Sequence, residues 1–152
     1  MNESSETRYI RVLHVEDDER WRAIVEEALR AEGFRVSTVE SCAEAERLFS
    51  ESYYHLLVLD IAFDSGNASN IEGMQLLELL DQRGLGTTSV IFLSAYGTKD
   101  MLRKAFCDYR VAAFLDKYDF DPMAFINVVK KVFEQIRGKE EPERMRKEPV
   151  EP

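Results

Sequence analysis

Five short apolar runs alternate along this chain with five amphipathic segments, and this alternation constrains the fold more than any other feature. The runs have the length and the content of Val, Ile, Leu and Phe that buried strands have. The segments between them repeat apolar residues at the three- and four-residue spacing of a helix that packs on one side. Strands that alternate with helices form a parallel sheet with helices on both faces. We therefore predict an α/β protein of three-layer αβα architecture, with a five-stranded parallel sheet whose strands lie at residues 9–15, 34–39, 55–60, 88–94 and 112–116.

Local signals indicate where the predicted helices begin and end. Ser41 is a suitable N-cap for a helix that reaches about residue 51, and Glu44 would complete a capping box. Gly33 and Gly84 each follow an amphipathic segment, as glycines that end helices do. Pro122 suits the first turn of the last helix. The first helix is predicted after the first strand, and the others at residues 73–84, 99–109 and from residue 122 onwards.

Composition divides the 152 residues into three parts. Residues 9–137 form the one predicted domain, which is large enough to bury a core. Residues 1–8 are polar and are predicted to be disordered. Residues 138–152 carry many charges, three prolines and few apolar side chains. This composition predicts a disordered tail or the start of a linker.

The charge and the cysteines argue against several kinds of function. A formal net charge of −9 disfavours direct binding to nucleic acids and to anionic membranes. Cys42 and Cys107 lie far apart and lack the spacing of a metal site or a redox motif. The sequence shows neither a signal peptide nor an apolar run that could span a bilayer. We therefore expect a cytoplasmic protein.

Polar side chains stand where the predicted strands end. Glu16 and Asp17 follow the first strand, Asp60 ends the third, Ser94 ends the fourth and Lys117 follows the fifth. The carboxyl ends of parallel strands meet at one edge of the sheet, so these side chains should converge. Three carboxylates in one pocket repel each other unless some bind protons or a cation lies among them, and such oxygen ligands suit Mg²⁺. Together they could form a site at which Asp60 is phosphorylated. The Asp60 carboxylate would be the nucleophile, and the hydroxyl and ammonium groups would donate hydrogen bonds to the phosphoryl group.

The same residues lie in four motifs, "VLHVEDDE", "LLVLD", "VIFLSAYG" and "FLDK", each at a strand end. With these motifs the chain resembles the receiver domain of two-component response regulators over roughly residues 11–136. The resemblance implies the flavodoxin-like strand order 2-1-3-4-5 of the chemotaxis-type regulators. It also implies that a histidine kinase or a phosphotransfer protein phosphorylates Asp60. The expected protein is a signalling domain rather than an enzyme, although it assists its own phosphorylation and its slow autodephosphorylation.

The resemblance further implies a set of Mg²⁺ ligands. Glu16 and Asp17 correspond to the acidic pair that holds the ion, together with Asp60. The backbone carbonyl of Ala62, two residues past the acceptor, would complete the protein ligands. Asp18 corresponds to the next position, which is expected to be exposed.

Other positions correspond to the family's switch. Ser94 and Lys117 would contact the phosphoryl group, and Phe114 occupies the position of the switch aromatic, although a plain packing role for it is equally open. Ala62 and Tyr96 flank the route of the attacking water and would tune the lifetime of the phosphorylated state. Phosphorylation would then change which output protein or output domain binds the face made by the fourth helix, the fifth strand and the fifth helix. That face would also suit a homodimer.

The sequence departs from the family's pattern in two places. Residues 61–72 form a longer loop than usual, without proline, and Tyr118 stands where a proline usually follows the lysine. A bond before a non-proline residue is expected to be trans, because the cis form costs about 3 kcal/mol. These departures leave open a second interpretation. In it the chain is a pseudo-receiver that binds a protein partner without being phosphorylated.

Overall fold

Strands and helices alternate along the chain in the predicted order. The computed structural model describes residues 10–60, 72–84, 86–95, 99–109 and 111–137. The strands in this part of the chain are β1 (Arg11–Val15), β2 (Arg35–Val39), β3 (Leu56–Leu59), β4 (Ser89–Ser94) and β5 (Ala113–Asp116). The helices are α1 (Glu19–Ala31), α2 (Cys42–Glu51), α3 (Glu72–Gln82), α4 (Lys99–Asp108) and α5 (Pro122–Arg137). A short 3₁₀ turn, Lys117–Asp119, follows β5 directly.

The five strands form one parallel sheet in the order β2-β1-β3-β4-β5. This finding confirms the predicted fold class and strand order. The register pairs Val15 at the end of β1 with Val39 of β2 on one side and with Leu59 of β3 on the other. It also pairs Ser94 at the end of β4 with Asp116 of β5. The strand order reverses between β1 and β3, which is where α/β sheets form their sites.

Each face of the sheet packs against its own group of helices, because alternate side chains of a strand point to opposite faces. On one face, α1 and α5 contribute Val25, Leu29, Phe125 and Val129 to a buried cluster with Val12, Val58 and Ile91. On the other face, α2, α3 and α4 contribute Phe49, Leu77, Leu80 and Ala105 to a cluster with Leu13, Leu57 and Phe92. The sheet is therefore buried on both faces, which explains why the central strands β3 and β4 are almost entirely apolar.

The ends of β3 differ by one residue from the prediction. The ladder covers Leu56–Leu59, so His55 and Asp60 flank the strand. Both still bond to β1, because the His55 N–H donates to the Arg11 carbonyl at 2.8 Å and the Asp60 N–H donates to the Val15 carbonyl at 3.3 Å. The backbone of Asp60 is thus fixed just beyond the carboxyl end of the central strand β3.

The predicted helix signals act much as expected. The Ser41 hydroxyl accepts a hydrogen bond from the Glu44 N–H at 3.2 Å, which makes Ser41 the N-cap of α2. The carboxylate of Glu44 returns to the N–H of Glu40 at 3.4 Å, one residue before the position that a capping box uses. Gly33 and Gly84 follow α1 and α3 with φ of 92° and 87°. Residues other than glycine rarely adopt this conformation.

Several predictions concern residues outside the described part of the chain. These are the predictions for the N-terminus at 1–8, for the tail at 138–152 and for the long loop after Asp60. α3 already begins at Glu72, so this loop ends one residue earlier than predicted. Among the helices that the structure describes, none combines the length and the apolar character needed to cross a membrane.

Candidate functional site

The sheet brings two buried carboxylates side by side. Glu16 follows β1 and Asp60 follows β3, and these strands are neighbours in register. The N–H of Glu16 donates to the Val39 carbonyl at 3.0 Å, so the backbone of the β1 end is held by β2 as well. Glu16 and Asp60 are 1% and 4% exposed. Two carboxylates this deeply buried are stable only if other groups balance their charge.

Asp17 adds a third carboxylate to this group. Oxygen atoms of Glu16, Asp17 and Asp60 all lie within 4.8 Å of one another. Burial, and secondarily the charge of Asp60, raise the pKa of Glu16. The same two causes raise the pKa of Asp17, although its side chain is exposed. Removing a proton from this cluster therefore becomes easier when a cation is present.

Lys117 supplies one such cation. Its Nζ lies 2.7 Å from Glu16 Oε1 and 3.2 Å from Asp60 Oδ2, and its side chain is 10% exposed. Burial lowers the pKa of Lys117, but Asp60 and Glu16 together more than offset this, so the pKa lies above its ordinary value. Lys117 is therefore a charged ammonium that bridges the two buried carboxylates.

The turn after β5 presents Lys117 to the site. Asp116 acts as the N-cap of this turn, because its carboxylate accepts a hydrogen bond from the Tyr118 N–H at 2.9 Å. No peptide bond in the described residues is cis, so the bond between Lys117 and Tyr118 is trans, as predicted. Tyr118 itself is 82% exposed. A capped 3₁₀ turn thus stands where the resemblance would have placed a proline.

Hydrogen bonds also order the loop between β1 and α1. Glu16 Oε2 accepts from the Asp18 N–H at 3.2 Å, and the Asp18 carboxylate caps α1 by accepting from the Arg20 N–H at 2.9 Å. Asp18 is half-buried rather than exposed, because of this cap. Arg22 Nη1 donates to the Glu16 carbonyl at 2.9 Å, and its Nη2 lies 3.7 Å from Glu40 Oε1. Sequence reasoning missed Arg22, because a basic residue one turn into a helix is an ordinary surface residue.

Ser94 and Phe114 lie where strand pairing puts them. Ser94 ends β4 opposite Asp116, and it is 1% exposed. Phe114 pairs with Phe92 and is half-buried against the cluster that α2, α3 and α4 cover. A partly covered aromatic side chain at this place fits both interpretations, packing and switching. The other predicted site positions, Ala62 and Tyr96, lie outside the described residues.

Trp21 contacts the site, and sequence reasoning did not foresee this contact. Trp21 packs beside the buried cluster that α1 and α5 form on their face of the sheet. Its ring, however, also faces Lys117, with Nζ 5.1 Å from the ring centroid. The helical periodicity gave the correct face of α1 but carried no information about a lysine nearly a hundred residues further along the chain.

The three carboxylates have the chemistry of a magnesium site. Their oxygens are the hard ligands that Mg²⁺ prefers, and the ion typically takes one or two carboxylates together with waters and a phosphate oxygen. The 4.8 Å limit on their mutual distances leaves them close enough to share one ion. The exposure of Asp17 provides a route from solvent. The residues therefore fit the ion that the family resemblance implies.

By its strand order and its acidic group, the protein is a flavodoxin-like α/β domain with a candidate metal site beyond the carboxyl ends of its strands. A family model described as the response regulator receiver domain matches residues 12–130, which is most of the chain. The chain therefore belongs to the receiver domain family of two-component response regulators. Phosphorylation on aspartate and a requirement for Mg²⁺ follow from membership of this family, as do partners that donate the phosphoryl group and output domains that respond to it.

Solved structures support the same fold. The signal receiver domain of a putative LuxO repressor protein from Vibrio parahaemolyticus is 22% identical, with a TM-score of 0.73, and the match covers 84% of this chain and 92% of that one. A CheY-like response regulator receiver domain protein from Methanospirillum hungatei is 21% identical, with a TM-score of 0.73 and coverages of 86% and 98%. The BeF₃-activated DrrB receiver domain is 22% identical, with a TM-score of 0.66 and coverages of 82% and 97%.

Proposed function

We propose that this receiver domain is phosphorylated on Asp60 in a Mg²⁺-dependent reaction and signals through phosphorylation-controlled binding of a protein partner. The donor is a histidine kinase or a phosphotransfer protein. A carboxylate oxygen of Asp60 attacks the phosphorus, the bond from phosphorus to the donor nitrogen breaks, and an acyl phosphate forms on Asp60. The receiver domain spans residues 9–137, with residues 1–8 and 138–152 outside it.

One observation carries the proposal. Asp60 is buried at a strand end in contact with an ammonium group, 3.2 Å from Lys117 Nζ, and within 4.8 Å of two further carboxylates. A buried carboxylate that serves only as a turn cap needs none of these neighbours. A carboxylate that receives a phosphoryl group needs cations on both sides of the new charge. The acidic group could bind a metal cation on one side of Asp60, and Lys117 supplies the cation on the other.

The roles of the other residues follow from their chemistry. Glu16, Asp17 and Asp60 hold Mg²⁺ together with the backbone carbonyl of Ala62. When bound, the ion neutralises the charge that develops on the transferring phosphoryl oxygens. Lys117 contacts one phosphoryl oxygen as a compact cation.

The signal leaves the site through a two-state element. Ser94 moves to donate a hydrogen bond to another phosphoryl oxygen, and Phe114 changes rotamer to fill the space that Ser94 vacates. The face formed by α4, β5 and α5 then changes its affinity for an output protein, an output domain or a second copy of this chain. The two arrangements need differ by only a few kcal/mol for phosphorylation to shift the balance.

The domain is a signalling module whose own catalytic part is small. It orients the acceptor for transfer, and it later allows water to attack the phosphorus, which breaks the bond between the phosphorus and Asp60 and releases inorganic phosphate. Ala62 and Tyr96 flank the route of this water and set how long the phosphorylated state lasts.

A pseudo-receiver remains the second candidate, and the altered positions favour it. The chain has Tyr118 in place of the usual proline, and its loop after Asp60 is longer than usual. In this alternative the same fold binds its partner without phosphorylation. The two candidates differ in a single chemical event at Asp60.

Acetyl phosphate with Mg²⁺ separates the two candidates. We expect the native protein to gain the mass of one phosphoryl group, which is lost again on standing, and we expect Asp60→Asn to gain none. Asp81→Asn, which removes an exposed carboxylate from α3, is the matched control and should be labelled like the native protein. A native protein that neither gains this mass nor binds beryllofluoride with Mg²⁺ would establish the pseudo-receiver. Labelling of Asp60→Asn would discard Asp60 as the acceptor.

A further inference from the structure

The face of the Trp21 ring lies next to the Lys117 ammonium, which also contacts two carboxylates. Nζ lies 5.1 Å from the centroid of the Trp21 ring, within the range of about 6 Å over which a cation is attracted to an aromatic face. Among aromatic side chains the indole gives the strongest attraction. An ammonium group has three donors, and Glu16 and Asp60 lie at bonding distance from it. Trp21 therefore contributes a third, uncharged contact to the same group.

Trp21 is held in place by an aromatic residue, Phe120, from the segment that carries Lys117. Its ring packs edge-on against Phe120, with centroids 5.1 Å apart, and Phe120 packs against Phe125 at 5.6 Å. Phe120 follows the turn that carries Lys117, and Phe125 is fully buried in α5. This aromatic cluster, Trp21, Phe120 and Phe125, thus ties α1 to the turn and to α5. The position of the ring is set by the same segment that presents the lysine.

We infer that Trp21 is a positioning residue that holds the Lys117 ammonium over Asp60. Lysine is a flexible side chain with a strongly hydrated head, and two carboxylates alone leave it free to choose either partner or water. The indole face takes the place of water beside the ammonium and so favours its position in contact with Glu16 and Asp60. This inference rests on the proposed function, since it concerns how the cation meets the incoming phosphoryl group. Lys117 touches the reacting atoms, whereas Trp21 acts through Lys117.

Two substitutions separate the aromatic face from simple packing. Trp21→Phe keeps an aromatic ring, and Trp21→Leu keeps apolar bulk without a ring. Ile24→Ala removes apolar surface from the same helix and serves as the control, since Ile24 is 39% exposed and has no contact with the lysine among the interactions described. Dispersed amide NMR spectra establish that each variant is folded.

The first readout is the contact itself, which needs no phosphorylation. The Hε protons of Lys117, assigned by their absence in Lys117→Ala, should be shifted upfield by the Trp21 ring current in the native protein. The shift should persist in part in Trp21→Phe and disappear in Trp21→Leu. Native Hε protons at ordinary lysine positions would overturn the inference.

The second readout is the initial rate of labelling by acetyl phosphate with Mg²⁺. We expect Trp21→Leu to be slower than the native protein by roughly 2- to 30-fold, the range that a lost cation–π contact implies. Trp21→Phe should recover most of the rate, and Ile24→Ala should match the native protein. Equal rates for native and Trp21→Leu, or equally slow rates for Phe and Leu, would contradict the inference. A native protein that is not labelled at all would instead refute the proposed function, and the ring-current shift alone would then decide whether Trp21 holds Lys117.

Discussion

At the strand ends, one ammonium group faces three carboxylates. With every group ionised, Glu16, Asp17 and Asp60 contribute three negative charges and Lys117 one positive charge. The net charge of the four groups is then −2, which one magnesium ion would neutralise. Lys117 bonds to two of the same carboxylates that would bind the ion, so the lysine and the metal compete for them. Under the proposed function, this competition would make Lys117 oppose metal binding before phosphorylation and contact the phosphoryl group afterwards.

Lys117→Ala should therefore bind Mg²⁺ more tightly than the native protein. Removing a cation about 3 Å from two ligands removes repulsion toward the incoming ion, and we expect the Kd to fall about tenfold. Isothermal titration calorimetry at constant ionic strength measures it. Lys130→Ala is the matched control, because Lys130 pairs with Glu32 at 2.9 Å on the surface and its loss should leave the Kd unchanged. A Kd for Lys117→Ala that is equal to or above the native value would contradict this account of the charges.

At the scale of elements, the loop between β1 and α1 determines where the acids point. The N-cap of α1 is Asp18, the residue directly after the two predicted metal ligands of this loop. Its N–H donates to the Glu16 carboxylate while its own carboxylate closes the first turn of the helix. The segment from Glu16 to Arg20 therefore both caps α1 and orients the Glu16 carboxylate.

Asp18→Ala should lower the free energy of unfolding by about 1 kcal/mol, because the first turn of α1 loses the side-chain acceptor for its free N–H groups. Asp18→Asn should stay within a few tenths of a kcal/mol of the native protein, since an amide oxygen caps equally well. Urea unfolding measures both. If Asn were as destabilising as Ala, the carboxylate would act through its charge near the helix terminus and not through the cap.

Sequence patterns were sufficient for the elements and for the backbone of the site, but not for its side-chain contacts. Alternating apolar runs fix which residues end the strands, so the convergence of Glu16, Asp60 and Lys117 at one edge followed from topology. The bridging of Glu16 by Lys117, and the contact with Trp21, depend on the rotamers of long side chains and on how α1 is rotated against the sheet. Periodicity states which face of a helix is buried, and it leaves that rotation undetermined.

Across the whole molecule, both histidines are buried and neutral. Burial, and then the neighbouring charge of Arg11, lower the pKa of His55 to about 4. The ring of His55 uses its Nδ1 to accept a hydrogen bond from the Arg11 N–H at 3.0 Å, which only the unprotonated nitrogen can do. Burial, and then the charges of Lys117 and Arg22, lower the pKa of His14 to about 3. The folded protein therefore resists protonation at two positions that titrate near pH 6.5 when the chain is unfolded.

Stability should fall as the solution becomes acidic. The unfolded chain takes up a proton on His55 below about pH 6.5, whereas the folded protein does so only near pH 4, so stability is present above the first value and lost toward the second. Between about pH 7.5 and about pH 5.5 this residue should account for a loss of about 1.4 kcal/mol. Urea unfolding at the two pH values measures this loss. Between them, the free energy of unfolding of His55→Asn, which retains an acceptor, should fall by about 1.4 kcal/mol less than that of the native protein. Equal losses would show that His55 does not cause the pH dependence.

Chemical trapping shows whether Asp60 is the residue that receives the phosphoryl group. Borohydride reduces an acyl phosphate to an alcohol, which converts a phosphorylated aspartate permanently into homoserine. After incubation with acetyl phosphate and Mg²⁺, peptide mass spectrometry should find homoserine at position 60, and omission of Mg²⁺ should abolish it. Homoserine at position 17, or a phosphorylated protein in which position 60 is still aspartate after reduction, would contradict the account.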